Sequence, residues 1–191
     1  MPRFDKLLVL DLDETLVYAD VIARGAPGER TVGPYFVVER PGLRPFIERC
    51  LEWFAVGIWT ASTRDYAGPV VREFVDLERL AFLWDRKRCT WHHDIDTREH
   101  GYLKDLRKLR RRGYRKEQIL VVDDSPRKLK RSYGNLIRID AFEGDPADRE
   151  LDALLVYLEA LGPVPNVRRI EKRGWRTRIR PASPEGSHRL E

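Results

Sequence analysis

Lys6-Leu7-Leu8-Val9-Leu10-Asp11-Leu12-Asp13-Glu14-Thr15-Leu16-Val17 decides the reading of this chain. Its first half is a short apolar run without polar alternation, the pattern of a strand covered on both faces inside a parallel sheet. The run ends abruptly in acid. Two further stretches repeat the design, Val56-Gly57-Ile58-Trp59-Thr60 and Ile119-Leu120-Val121-Val122 followed by Asp123 and Asp124. Leu136–Ile139 reads as a fourth strand.

Helical signals alternate with these strands. Leu43, Phe46, Ile47, Cys50, Leu51 and Phe54 recur at helical spacing and predict an amphipathic helix over 43–54. Ser62 or Thr63 is placed to cap a helix running to about Glu78, bent near Pro69. A basic helix is expected over about 103–112, and Ser125-Pro126 opens another. Leu151, Leu154, Leu155, Leu158 and Leu161 form the stripe of a closing helix that Gly162-Pro163 stops. Strand and helix in alternation predict an α/β fold, a doubly wound parallel sheet. Two segments fall outside the alternation. Tyr35–Glu39 suits a hairpin or flap beside the first strand, and residues 82–102, with Phe82-Leu83-Trp84 and Cys89-Thr90-Trp91, are expected to form a small inserted β-sheet.

The 191 residues, 42% hydrophobic and 35% charged, suit one globular domain and are too apolar for disorder throughout. No apolar run approaches the roughly 20 residues that cross a bilayer. Leu7–Leu10 is too short for a secretory signal, so a cytoplasmic protein with no membrane partner is expected, nuclear in a eukaryotic source. Two cysteines, Cys50 and Cys89, make neither a zinc site nor a disulfide framework and read as buried free thiols. The net charge of +5 equals that of residues 163–191, where eight Arg or Lys face three Glu. That Pro-containing stretch is expected to be a poorly packed basic extension to a domain of residues 1–162.

Open sheets of this class gather chemistry at the carboxyl ends of their strands. Side chains of an extended chain repeat every second residue, so Asp11 and Asp13 can point the same way from the end of the first strand. With Asp123 or Asp124 arriving at the neighbouring strand end, the cluster holds three or more negative charges. Each pair at about 4 Å repels by on the order of 4 kcal/mol at an effective dielectric near 20. A divalent cation resolves this, and oxygen-only ligands select a hard one such as Mg²⁺, completed by water and a substrate phosphate. Aspartate is also a competent nucleophile toward phosphorus, and a second carboxyl nearby can act as acid and then base.

Leu10-Asp11-Leu12-Asp13-Glu14-Thr15-Leu16-Val17 resembles the first motif of the haloacid dehalogenase superfamily. The closer likeness is to the C-terminal-domain phosphatases of the NLI-interacting-factor-like family. It extends through Arg40-Pro41-Gly42-Leu43-Arg44, Ile58-Trp59-Thr60-Ala61-Ser62, Tyr102-Leu103-Lys104-Asp105-Leu106 and Val121-Val122-Asp123-Asp124-Ser125-Pro126, in the family's order. The resemblance implies that Asp11 is nucleophile and metal ligand, and that Asp13 is the acid/base, reaching the metal through its backbone carbonyl. Thr60, Ala61 and Lys104 would hold the phosphoryl oxygens. Asp123 and Asp124 complete the metal ligands, Asp124 standing where many relatives have Asn. The resemblance also implies that 82–102 is the family's inserted sheet and that no large cap closes the site. An open cleft suits a phosphoserine or phosphothreonine on a protein, with Tyr18, Tyr35–Val38 and Tyr66 either at its rim or in the core.

Other readings compete. Basic segments at Lys104–Lys116 and Arg127–Arg131 raise nucleic acid as a partner and a polynucleotide end-phosphatase as the alternative enzyme. A non-catalytic binding module is a third reading. His92, His93, Asp94, Asp96 and His100 match no common metal-ligand spacing and read as an exposed turn. Oligomeric state is not legible.

Overall fold

The computed structural model describes residues 1–93 and 100–178. In chain order these form β1 (Leu7–Leu10), β2 (Val17–Asp20), β3 (Arg30–Val32), β4 (Tyr35–Glu39), α1 (Leu43–Trp53), β5 (Ala55–Trp59) and α2 (Arg64–Arg72). There follow β6 (Phe82–Trp84), β7 (Thr90–His93), β8 (His100–Leu103), α3 (Arg107–Arg110), β9 (Ile119–Asp123), β10 (Leu136–Arg138), α4 (Glu150–Leu161) and α5 (Trp175–Arg178).

The expected parallel sheet is present, with order β10-β9-β1-β5-β6. β1 lies at its centre, Leu10 opposite Ile58 of β5 on one side and Val122 of β9 on the other. Three carboxyl ends therefore finish level with one another. All four residues of β1 are fully buried, and they still alternate between faces. Leu8 and Leu10 pack with residues of α1, α2 and α4, whereas Leu7 and Val9 pack with Trp59, Leu106, Leu109 and Leu129. Each such side chain contributes about 1.5–3 kcal/mol on leaving water. This two-sided cover is the reason the β1 sequence lacks polar alternation.

The structure corrects several expectations. Phe82–Trp84 is no part of an inserted sheet. It is the edge strand of the central sheet, parallel to β5, with Gly57 opposite Phe82. A Cβ at Gly57 would lie 2.3 Å from the Phe82 ring, so only glycine admits that packing. What is inserted is the antiparallel pair β7–β8, together with a second antiparallel sheet, β2-β4-β3, that contains the expected hairpin. α2 stops at Arg72 because Phe74 and Val75 turn into the core, and a short turn over Leu77–Arg79 follows under an Asp76 cap. The basic helix is one turn, Arg107–Arg110, and leaves Lys104 outside it, directly after β8.

Over residues 163–178 the stretch after Gly162 is not loosely attached. Val167 and Trp175 are buried in the main core, and the Trp175 ring stacks on Tyr157 of α4 at 5.4 Å while its Nε1 donates to Arg138 O. Lys172 Nζ donates to the carbonyls of Gly134, Val167 and Ile170. A segment without periodicity thus packs through single anchors rather than through a stripe. Residues 179–191 lie outside the described residues. Cys50 and Cys89 are free and buried, as expected, and burial pushes both thiols up.

Candidate active site

Asp11 continues the ladder of β1, its N–H donating to Val122 O. The chain then leaves the extended conformation. Leu16 and Val17 both donate to Leu12 O, and Glu14 takes a left-handed φ of 54°, a cost that non-glycine residues accept mainly where the surroundings fix them. Arg40 supplies much of that fixing. Its buried guanidinium donates to Thr15 O at 3.1 Å and to both carboxylate oxygens of Asp148 at 2.9 and 2.7 Å. Phe142 N–H ties down Glu14 O from the other side.

This turn gives Asp11 and Asp13 different neighbours. Asp11 is fully buried between two ammonium groups. Lys104 Nζ lies 2.8 Å from its Oδ1, and Lys128 Nζ contacts its Oδ2. Asp13 instead accepts from three hydroxyls: Thr60 Oγ1 at 3.1 Å, Ser62 Oγ at 2.7 Å and Tyr66 OH at 2.6 Å. Ser62 N–H in turn donates to Thr60 Oγ1, which orders the hydroxyl pair. The Tyr66 ring is buried and packed edge-on against Tyr35 at 4.8 Å, so of the aromatics left between rim and core, this one is wall with its hydroxyl in the site. Tyr18 OH is engaged elsewhere, with Asp20 and Arg24.

Asp123, the last residue of β9, is buried against Lys104 Nζ at 2.6 Å, and its Oδ1 accepts the Ser125 N–H. Asp11, Asp123 and Asp124 bring carboxylate oxygens within 4.8 Å of one another, the one such cluster among the described residues. The carboxylate of Asp13 is outside it. Asp124 Oδ1 is buried with no hydrogen-bond partner, and Asp11 Oδ1 has the charge of Lys104 beside it but no well-directed hydrogen bond. Carboxylate oxygens gathered at one point, Asp124 Oδ1 among them without a hydrogen bond, are what a hard divalent cation uses, so the residues present fit Mg²⁺. His92 Nε2 lies against Lys130 Nζ on the hairpin side, while Asp94 and Asp96 fall outside the described residues.

The charges order the titrations. Burial pushes the Asp11 carboxyl up, but Lys104 and Lys128 outweigh it and hold the group down at about 2. Asp123 goes the other way. Its burial and the charge of Asp11 outweigh the same two lysines and push it up to about 6.

Two features escape a reading of the sequence. Lys128 reads there only as part of a basic segment, although its place four residues after Asp124, on one helical turn, is a signal that returns it to the acids. Ser62 reads as a helix cap, yet its hydroxyl is spent on Asp13 and not on α2. Thr60 sits at the end of β5 as expected, with Ala61 beside it lining a cleft of about 520 Å³ whose walls include His100, Tyr102, Ser125, Arg127 and Lys128.

The sequence profile described as NLI interacting factor-like phosphatase matches residues 6–168. A probable C-terminal domain small phosphatase of Dictyostelium discoideum is 35% identical over 171 residues, 85% of this chain and 53% of the relative. Nuclear envelope morphology protein 1 of Schizosaccharomyces pombe is 30% identical over 182 residues, 88% of this chain and 35% of the relative. The chain thus spans between a third and about half of the length of these relatives. Among solved structures, that of Fcp1, an RNA polymerase II CTD phosphatase, superposes with a TM-score of 0.62 at 19% identity over 83% of this chain and 62% of that one, a likeness of fold. Among the described residues, no helix is long and apolar enough to cross a membrane. The motifs that carry the likeness meet at one sheet edge, the profile runs through all of them, and the chain belongs to the NLI interacting factor-like phosphatase family.

Proposed function

We propose that this chain is a Mg²⁺-dependent phosphomonoester hydrolase that works through an aspartyl-phosphate on Asp11, with phosphoserine or phosphothreonine in a protein as its substrate. The observation that carries the reading is the contrast between the two acids of the first motif. Ammonium groups only donate, so Lys104 and Lys128 favour Asp11 as the carboxylate, the form that attacks phosphorus. Hydroxyls both donate and accept, so Thr60, Ser62 and Tyr66 can hold Asp13 with or without a proton.

The steps follow from that division. An Asp11 oxygen bonds to phosphorus as the bond to the leaving oxygen breaks, and Asp13 delivers its proton to that oxygen. Asp13, now a carboxylate, then takes a proton from water as the water oxygen attacks the same phosphorus and frees Asp11. Mg²⁺, held by Asp11, Asp123, Asp124 and the backbone carbonyl of Asp13, would supply positive charge to the phosphoryl oxygens. Lys104 would offset the charge of Asp11 and Asp123, and Thr60 and Ala61, just past the end of β5, would hold phosphoryl oxygens.

A protein substrate is supported by the names of the similar chains, which describe C-terminal domain phosphatases. The cationic wall of the cleft keeps a polynucleotide end in view as the rival. Turnover of phosphopeptides against 3′-phosphorylated oligonucleotides separates them. A preference for peptide of about tenfold or more supports the proposal, and the reverse preference overturns the substrate assignment. Activity undiminished by excess EDTA would overturn the metal, and unchanged hydrolysis by Asp11→Asn would overturn the nucleophile and leave the binding-module reading standing.

A further inference from the structure

Lys128 occupies the point on which the carboxylate cluster converges. It lies in the short turn Pro126–Leu129, with its Nζ in contact with Asp11 Oδ2, 3.4 Å from Asp123 Oδ1 and 3.6 Å from Asp124 Oδ1. These are the three side chains whose oxygens gather within 4.8 Å. The two lysines of the site divide those oxygens between them. Lys104 takes Asp11 Oδ1 and Asp123 Oδ2, while Lys128 takes the opposite oxygen of each and adds Asp124.

Their surroundings differ as much as their partners. The Lys104 side chain has no exposure, and its backbone N–H is tied to Lys128 O at 2.8 Å. The Lys128 side chain is 20% exposed and lines the cleft with Ala61, Tyr102 and Ser125. One ammonium is built in, and the other has an exit.

We propose that Lys128 is a resident counter-ion of the Asp11–Asp123–Asp124 cluster that a divalent cation displaces on binding, the ammonium moving into the cleft. The proposal rests on the metal assignment made above. Three carboxylates and two ammonium groups leave the metal-free site one negative charge in excess, and removing Lys128 leaves two. An ammonium and a divalent cation that draw on the same three carboxylates compete for them by Coulomb's law. Lys128 therefore weakens metal binding by the resting protein while holding its acidic cluster together.

Calorimetric titration of Mg²⁺ alone into the metal-free full chain tests this, comparing wild type, Lys128→Met and Lys128→Arg, with far-UV circular dichroism to establish folding. The dissociation constant of Lys128→Met is expected to fall by about tenfold or more, equivalent to about 1.4 kcal/mol, with Lys128→Arg close to wild type. A Lys128→Met protein that binds Mg²⁺ no more tightly than wild type overturns the counter-ion role and leaves the metal assignment intact. Failure of both proteins to bind Mg²⁺ overturns the assignment and the proposal together. Should Lys128→Met not fold, a crystal structure of the Mg²⁺-bound wild type decides the matter: Nζ withdrawn from Asp124 supports the displacement, and Nζ still seated among the three carboxylates overturns it.

Discussion

Asp11 and Asp13 stand two residues apart, and their surroundings share almost nothing. The β1–β9 side of the site holds Asp11 in a buried lattice of full charges, with Lys104, Lys128 and Asp123 all in contact. The β5–α2 side holds Asp13 among neutral hydroxyls from Thr60, Ser62 and Tyr66. On the proposed mechanism, one residue type is given two tasks by its neighbours rather than by its own chemistry. The tight turn at Leu12–Leu16 makes the division, because it takes the chain out of the extended form before Asp13 can join Asp11.

The largest expected effect breaks the charged side. Asp11→Asn should lower kcat by roughly 10⁴-fold or more on any phosphomonoester, since no other carboxylate can replace the nucleophile. Asp13→Asn should behave differently. Its loss, about 10²- to 10⁴-fold for phosphoserine, should shrink markedly for p-nitrophenyl phosphate, whose leaving group needs little protonation. Equal losses by Asp13→Asn on the two substrates would erase the distinction between the acids.

Lys104→Met removes the buried cation shared by Asp11 and Asp123 and should destabilise the metal-free protein by about 3–5 kcal/mol in denaturant titration, because two buried carboxylates lose their common partner. Removing one hydroxyl from the neutral side should cost far less. Tyr66→Phe deletes one of three bonds to Asp13 and is expected to lower kcat on phosphoserine by about tenfold, the equivalent of a single hydrogen bond to a charged group, with the fold intact by circular dichroism.

The smallest effect is a pH dependence. Asp123, pushed up to about 6, binds a proton in the folded state at a pH where the unfolded chain has released it. Acidification from pH 7 to pH 5 therefore stabilises the metal-free fold, by about 1 kcal/mol. Asp11, held at about 2, contributes stability above its ordinary value that is lost only as pH falls through about 2, outside that window. Glu14, pushed up to about 7 by burial and by the charges of Asp13 and Asp124, adds to the gain over the same range. Melting curves of metal-free wild type should therefore show the gain, and Asp123→Asn should show a smaller one.

Much of this arrangement is legible in the sequence itself. Two-sided burial writes an unbroken apolar run, so β1, β5 and β9 stand out, and the acids at their ends follow from strand geometry. α1 and α4 are legible because each buries one stripe. β6 is not, since three apolar residues fit many settings and its place at the sheet edge depends on the absent side chain of Gly57. Trp175 escapes for a related reason: a single anchor in a Pro-containing segment has no period to detect. Lys128 and Ser62 are easily misread because common roles, a solvated basic face and a helix cap, describe their sequence positions equally well. Only the folded distances to Asp11 and Asp13 separate the roles.

The most direct measurement is chemical capture of the phosphorylated residue. Enzyme quenched in acid during turnover and treated with borohydride, which reduces an acyl phosphate to an alcohol, should show that reduction at residue 11 alone by peptide mass spectrometry. Reduction at residue 13, or none in enzyme that is turning over substrate, would contradict the division of labour between the two carboxylates.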